Sequence, residues 1–189
     1  LFSKGYLRYN GNMPQWGQKE VFTMQNIDYT QAMAEATERM SHGGVFLSVG
    51  GETPNTMTIG WGSIGFYWGK PVFTVVVRPS RHSYDMLIKS GEFTVSVPTS
   101  DALKPLLGFA GGVSGRDVNK FQGHGLTAAP AQKVGAPIVA ECGLHFECKL
   151  PLQQDMTPNR MDAEVQKRAY PDGDYHTMFF GEIVACYRT

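Results

Sequence analysis

Strand-length apolar runs, each closed by a glycine or proline turn, limit what this chain can become. VFLSVG (45–50) leads to a Gly-Glu-Thr-Pro turn, TMTIGWGSIGF (56–66) to Gly69-Lys70-Pro71, and VFTVVVR (72–78) to Pro79. FTVSVP (93–98), a long run around PIVAECGLHFECKL (137–150) and MFFGEIVACY (178–187) complete the set. Runs this short at hairpin-like spacing indicate sheet. VFTVVVR is apolar enough to be buried on both faces. Helices are expected over YTQAMAEATERM, capped by Asp28 and stopped by Gly43-Gly44, and over RHSYDMLIKS, from Arg81 to a stop at Gly91. DALKPLLGFAG reads as helix broken at Pro105. The pattern predicts a mainly β domain with short helices, a barrel with helical appendages. Residues 1–26 read as a polar and aromatic arm on the surface or on a partner, so 1–41 form arm and helix and 42–189 the barrel. The polar stretch 151–173 carries no assigned element.

Charge narrows the partners. Lys and Arg number 17 and Asp and Glu 17, with no run of either sign. Nucleic acid and anionic membranes both need a basic surface field, so neither is expected. One local cationic pocket for a phosphate is still compatible. The apolar runs are far short of a membrane span. The N-terminal stretch lacks a secretory h-region and an initiator Met, which suggests a trimmed start. Cys142, Cys148 and Cys186 have neither zinc nor redox spacing. Cys142 and Cys148 are read on one strand, where six residues span roughly 20 Å, too far for a disulfide. The expectation is buried thiols in a reducing cytoplasm.

Gly60-Trp61-Gly62-Ser63-Ile64-Gly65 spells the dinucleotide fingerprint, but strand and turn follow it where the mechanism needs a helix. Glycines inside a strand more often mark a bulge or the close approach of a flat ligand. Gly123-His124-Gly125 begins a second partial match, which Pro130 disqualifies. More informative is Val77-Arg78-Pro79-Ser80-Arg81-His82-Ser83-Tyr84. Pro79 ends a buried strand, Ser80 suits a helix N-cap, and Ser83 falls at the third helical position. Arg81 and His82 then sit in the first turn, where positive charge opposes the helix dipole by roughly 0.3–1 kcal/mol. Arg, hydroxyls and a helix N-terminus together suit a phosphate monoester. A capped surface helix with an exposed Arg explains the same residues equally well.

NTMTIGWG (55–62), VRPSRHSYDML (77–87), GEFTVSV (91–97), SGRDVNKF (114–121) and APIVAEC (136–142) occur in the order and spacing of the flavin reductase-like family. Over residues 42–187 the chain resembles that family's flavoredoxin branch. The resemblance implies the FMN-binding split β-barrel, a homodimer, and NAD(P)H-dependent flavin reduction or electron transfer. It places the flavin ring along Asn55–Ser63, through Asn55, Thr56, Met57, Thr58, Trp61, Gly62 and Ser63. It places the phosphate at Arg78, Pro79, Ser80, Arg81, Ser83 and Tyr84, with Ser114, Gly115, Lys120 and Phe121 in a facing loop. The family's Gly-Asp-His occurs here as Gly173-Asp174-Tyr175-His176, one residue longer, which makes His176 a ring or nicotinamide neighbour. Without the resemblance, Trp61 reads rather as a core aromatic and Lys120 as a solvated loop charge, and His176 is as well read as an ordinary surface or core histidine. No protein nucleophile, acid–base motif or metal site is expected. The function implied is an FMN-dependent oxidoreductase acting on NAD(P)H. Alternatives are a non-catalytic FMN carrier serving a redox partner protein, and a barrel without cofactor that serves in assembly.

Overall fold

The computed structural model describes residues 23–189. Its strands are β1 (Gln25–Asn26), β2 (Val45–Val49), β3 (Asn55–Ile59), β4 (Gly62–Tyr67), β5 (Lys70–Val77), β6 (Glu92–Val97), β7 (Ala128–Ala129), β8 (Ile138–Val139), β9 (Leu144–Asp155) and β10 (Thr177–Arg188). Its α-helices are α1 (Tyr29–Ser41), α2 (His82–Ser90), α3 (Lys104–Gly112) and α4 (Ala163–Ala169). The main sheet runs β3-β2-β6-β9-β10-β5-β4, with β1 added to the end of β10. All its pairings are antiparallel. Thus the fold is mainly β with short helices.

The two ends of this path, β3 and β4, are joined only by Gly60-Trp61. Laid flat, seven strands would hold the outer two about 29 Å apart at ~4.8 Å per spacing. Three residues reach at most about 11 Å, so the sheet must curl until its edges approach. It does not close. β4 pairs with β5 only from Lys70 to Val75. Val76 and Val77 therefore lack a β4 partner, and among the described residues β3 pairs only with β2. The result is an open seam between the free edge of β3 and the end of β5.

Curling places one continuous core inside. Phe73 and Phe146 meet edge to face at 5.2 Å, and Leu47, Val95 and Phe179 beside them are all fully buried. Ala32, Ala36 and Met40 of α1 join this cluster. Gly181 sits where the β9–β10 register shifts, and a Cβ there would run into the Phe93 ring and the Cys148 Cβ. A second cluster packs α3, through Leu107 and Ala110, against Phe46, Leu126 and Val139.

The expected elements need five corrections. The run 56–66 is two strands, because the chain reverses at Gly60-Trp61. The helix from Arg81 begins at His82, with Arg81 as the extended N-cap residue. Pro105 starts α3 rather than breaking it, since a first-turn proline lacks an N–H that has no helical partner anyway. The run 137–150 splits into β8 and β9, so Cys142 lies in the intervening turn and shares no strand with Cys148. The stretch 151–173 contains the end of β9, a 3₁₀ turn at Pro158–Arg160 and α4. The expected surface arm lies outside the described residues up to residue 22; beyond it, Gln25 and Asn26 pair with Arg188 and Tyr187. All three cysteines are free and buried, and burial raises each thiol pKa, that of Cys186 to about 12. Among the described residues no helix is long and apolar enough to cross a membrane, and no metal-ligand cluster occurs.

Candidate functional site

The start of α2 faces the seam and is left open by its own sequence. Pro79 ends β5, and Arg81 enters the helix extended, at φ −77° and ψ 140°, with no side chain capping the first turn. Ser80 does not cap; its hydroxyl donates to Asp174 Oδ2 at 2.6 Å. Ser83 is buried and accepts from Asn55 Nδ2 at 2.9 Å, which ties α2 to the first residue of β3. A helix start without a cap presents unpaired N–H groups and the positive end of the dipole.

The loop after α3 brings further positive charge there. Arg116 Nη1 donates to the Ser80 carbonyl at 3.1 Å, and its amide donates to Ser114 Oγ at 3.2 Å. Gly115 lies flush against the Asn55 carboxamide and the His82 ring, with no room for a Cβ. Lys120 is buried, and Nζ donates to the carbonyls of Thr56 at 2.8 Å and Ala110 at 2.6 Å. Burial, and then the charge of Arg81, bring its pKa down to about 8. His82 is also held below its usual value, by burial and then by Arg116 and Lys120, with Asp85 opposing. None of Arg81, Arg116 and Lys120 enters an ion pair among the described residues. Arg81 and Arg116 therefore stand at an uncapped helix start, with Lys120 buried behind β3 and with Asp85 and Asp174 as the acidic neighbours.

Beside this cradle the seam widens into a cleft of about 220 Å³. Met57, Thr58 and Ile59 form one wall, Val76, Val77 and Arg78 the other, with Trp61, Arg81 and His176 at its ends. Trp61 keeps half its surface exposed, so it is no core aromatic. The His176 ring lies 5.1 Å from it, and His176 Nδ1 shares a 2.9 Å hydrogen bond with the Tyr170 hydroxyl. Tyr170 stacks on Tyr175 at 4.8 Å and approaches Trp61 edge-on at 6.5 Å. Burial, then Arg78, push the His176 pKa down to about 4 against the pull of Asp174. His176 is thus a neutral ring at neutral pH.

The structure brings Met57, Thr58, Trp61, Arg78, Arg81 and His176 to the cleft. Thr56 and Thr58 spend their hydroxyls on the carbonyls of Leu47 and Leu107, so it is the free backbone edge of β3 that the seam offers. Gly62 and Ser63 lie on β4, paired with Val75 and Thr74. Tyr84 packs its ring on Phe179 and reaches Thr177, and Phe121 packs into the second cluster. Arg116, Tyr170 and Tyr175 are additions to the expected site. Arg116 stood inside the SGRDVNKF segment and was legible as a third cation. Nothing in the polar 151–173 stretch marked Tyr170.

Comparison with known proteins agrees with this architecture. An uncharacterized protein of Archaeoglobus fulgidus is 34% identical over 140 residues, covering 74% of this chain and 68% of the relative. The flavoredoxin of Desulfovibrio vulgaris (Miyazaki F) superposes with a TM-score of 0.61 at 27% identity, covering 77% of this chain and 68% of that one. BorF, the flavin reductase component of a bacterial two-component tryptophan halogenase, gives 0.56 at 26%, covering 78% and 79%. This chain therefore spans about two thirds of the length of the first two. Residues 37–189 match the flavin reductase like domain, and with β3, α2 and the 114–121 loop disposed around one seam, the chain belongs to the flavin reductase-like family.

Proposed function

We propose that this chain is an FMN-binding oxidoreductase that holds the flavin in the seam of its sheet and takes electrons from NAD(P)H. The observation that carries the reading is the uncapped start of α2 with Arg81 at its N-cap and Arg116 on the Ser80 carbonyl, beside Lys120, buried behind β3. A terminal phosphate suits such a cradle, since it accepts first-turn N–H bonds and neutralises charges that otherwise repel. The β3 edge, which has no strand partner on the seam side among the described residues and whose Thr56 carbonyl already holds Lys120, faces the polar rim of a flat ring, while Met57 and Trp61 offer apolar surface. Bound flavin supplies the hydride and electron chemistry; the protein supplies binding, orientation and electrostatics. Asn55 and Ser83 hold β3 and α2 in register. The neutral His176, fixed by Tyr170, shields one end of the cleft without adding charge.

A flavoredoxin-like carrier that passes electrons to a redox partner protein is the second reading, and the likeness to a flavoredoxin supports it. Anaerobic bleaching of the flavin bands by NADH or NADPH favours the reductase; bands that bleach only with a protein donor favour the carrier. The protein is further proposed to work as a homodimer. Phe66, Tyr67 and Trp68 are all exposed, and Tyr67 and Trp68 cluster with Phe180.

The site is tested by titrating FMN and riboflavin into flavin-free wild type and Arg81→Ala. A charge-assisted contact is worth about 1.5–3 kcal/mol, so the FMN Kd should rise on the order of tenfold to a hundredfold. Riboflavin, which lacks the phosphate, should bind both proteins alike. Equal losses for the two ligands, or none for either, would place the phosphate elsewhere.

A further inference from the structure

One end wall of the cleft, at His176, belongs to a segment that begins with the short helix α4. α4 buries none of its residues. After it the chain turns at Gly173 and Asp174, both at positive φ (76° and 54°), so that Tyr170 before the turn and His176 after it both meet Trp61, with Tyr175 stacked on Tyr170. Such a segment belongs to the low end of local stability unless something anchors it.

The segment has some anchors without Arg78, since the buried Tyr170 donates its hydroxyl to Met156 Sδ at 3.3 Å and the His176 carbonyl accepts from the Met156 amide at 3.0 Å; Arg78, the residue after β5, adds the contacts that span it. Its Nη2 donates to the Ala169 carbonyl at 3.0 Å and its Nη1 to the Asp174 carbonyl at 3.3 Å, so one side chain bonds both ends of the turn. Its guanidinium carbon lies 5.2 Å from the centre of the Tyr170 ring, and Asp174 Oδ2 lies 4.0 Å from Nη1. Asp174 in turn accepts from the Ser80 hydroxyl at 2.6 Å and from the Ser80 amide at 3.4 Å. The root is firm, since Val75, Val76 and Val77 just before it are buried. Bonding two carbonyls while laying a flat face on an aromatic ring requires a planar fork, which an ammonium does not have. What sets Arg78 apart from Arg81, Arg116 and Lys120 is that its carbonyl partners, Ala169 and Asp174, both belong to the segment that carries Tyr170.

We propose that Arg78 is a positioning residue whose guanidinium latches the Ala169–His176 segment against Trp61, so that His176, backed by Tyr170, is a fixed end wall of the cleft. What the wall does in catalysis rests on the flavin reading; the latch itself does not. The test uses the full chain without flavin, with Trp16→Phe and Trp68→Phe so that Trp61 is the sole tryptophan. Acrylamide quenching of Trp61 is compared in that background, in Arg78→Lys, in Arg78→Ala, and in Asp174→Gly, which removes the carboxylate but tolerates positive φ. Because Trp61 is half exposed already, opening the wall should raise its accessibility by up to about twofold. The rise is expected in all three variants, with far-ultraviolet circular dichroism unchanged.

A rise in Arg78→Ala but not in Arg78→Lys overturns the proposal, because charge alone would then hold the wall. No rise in any variant overturns it as well. Flavin titration on the same proteins separates the two ideas. Loosened quenching in the variants, with a parent protein that itself binds no FMN, supports the latch and sinks only the flavin reading, whereas normal FMN binding with unchanged quenching sinks only the latch.

Discussion

At the scale of single residues, the site depends on what is missing from Gly115 as much as on the charges around it. Its φ is not in the left-handed region, so alanine meets no backbone penalty there. The penalty is steric, since a Cβ would overlap the Asn55 carboxamide and the His82 ring. Gly115→Ala should cost about 1–3 kcal/mol in stability and weaken FMN through displacement of Asn55 and the α2 start. Gly108 is the control, because it lies exposed inside α3 with open space where a Cβ would go. Gly108→Ala should stabilise by about 0.5–1 kcal/mol and leave flavin binding alone. Thermal melts with flavin titrations check the pair. Loss of flavin affinity in Gly108→Ala, or none in Gly115→Ala, would contradict the packing described. Residue identity made Lys120 and Arg81 legible as candidate anion ligands. That Lys120 is buried, and tethered to two carbonyls rather than solvated, followed only from the approach of β3 and α3.

At the scale of elements, β9 joins the sheet to the loops outside it through two buried polar residues. Glu147 accepts from the amides of Gln132 and Lys133, both at 2.6 Å, and of Val134 at 3.2 Å. His145 lies 3.0 Å from Ser96 Oγ through Nδ1 and 3.0 Å from the Cys142 carbonyl through Nε2. Ser96 Oγ already accepts from the Val139 amide, so its own hydrogen suits an unprotonated Nδ1, and the ring is satisfied as a neutral group. Burial pushes its pKa down to about 4 from the usual 6.5, against the Cys142 carbonyl. The unfolded chain therefore binds more protons between those values, and stability present above about pH 6.5 is lost as pH falls towards 4. For His145 the loss amounts to roughly 3 kcal/mol. His176 titrates in the same window and adds to it. Denaturant unfolding from pH 7 to pH 4 should give a steep decline in wild type and a shallower one in His145→Gln, from a lower starting stability. An identical slope in both proteins would show that the buried histidine is not responsible.

At the scale of the whole molecule, the curl that creates the seam also turns an aromatic patch outward. Phe180 alternates to the outer face of β10, where Tyr67 and Trp68 approach within 5.7 and 6.1 Å. Aromatic surface of this kind on a small domain marks an interaction site, and a two-fold contact would cover it with a second copy of itself. A stable pair needs about 800 Å² per partner. Light scattering at micromolar concentration should give a dimeric mass, and Trp68→Glu should lower it towards the monomer. A monomeric wild type would remove the basis for the homodimer.

The sequence by itself determined the local elements. Strand-length apolar runs, the Asp28 cap of α1 and the Gly91 stop of α2 express side-chain periodicity and backbone freedom, which act over a few residues. The motifs of residues 55–62, 77–87 and 114–121 also identified the family without coordinates. Whether 56–66 was one strand or two was decided by the tertiary structure, because the break at Gly60-Trp61 exists to join two sheet edges that long-range pairing brings together. Long-range pairing likewise put Tyr170 and His176 beside Trp61 and gave Arg78 two carbonyls to hold. Those contacts join positions about ninety or more residues apart for Arg78 and over a hundred for Trp61; no local pattern encodes them, since their energy appears only once the curled sheet has closed the distance.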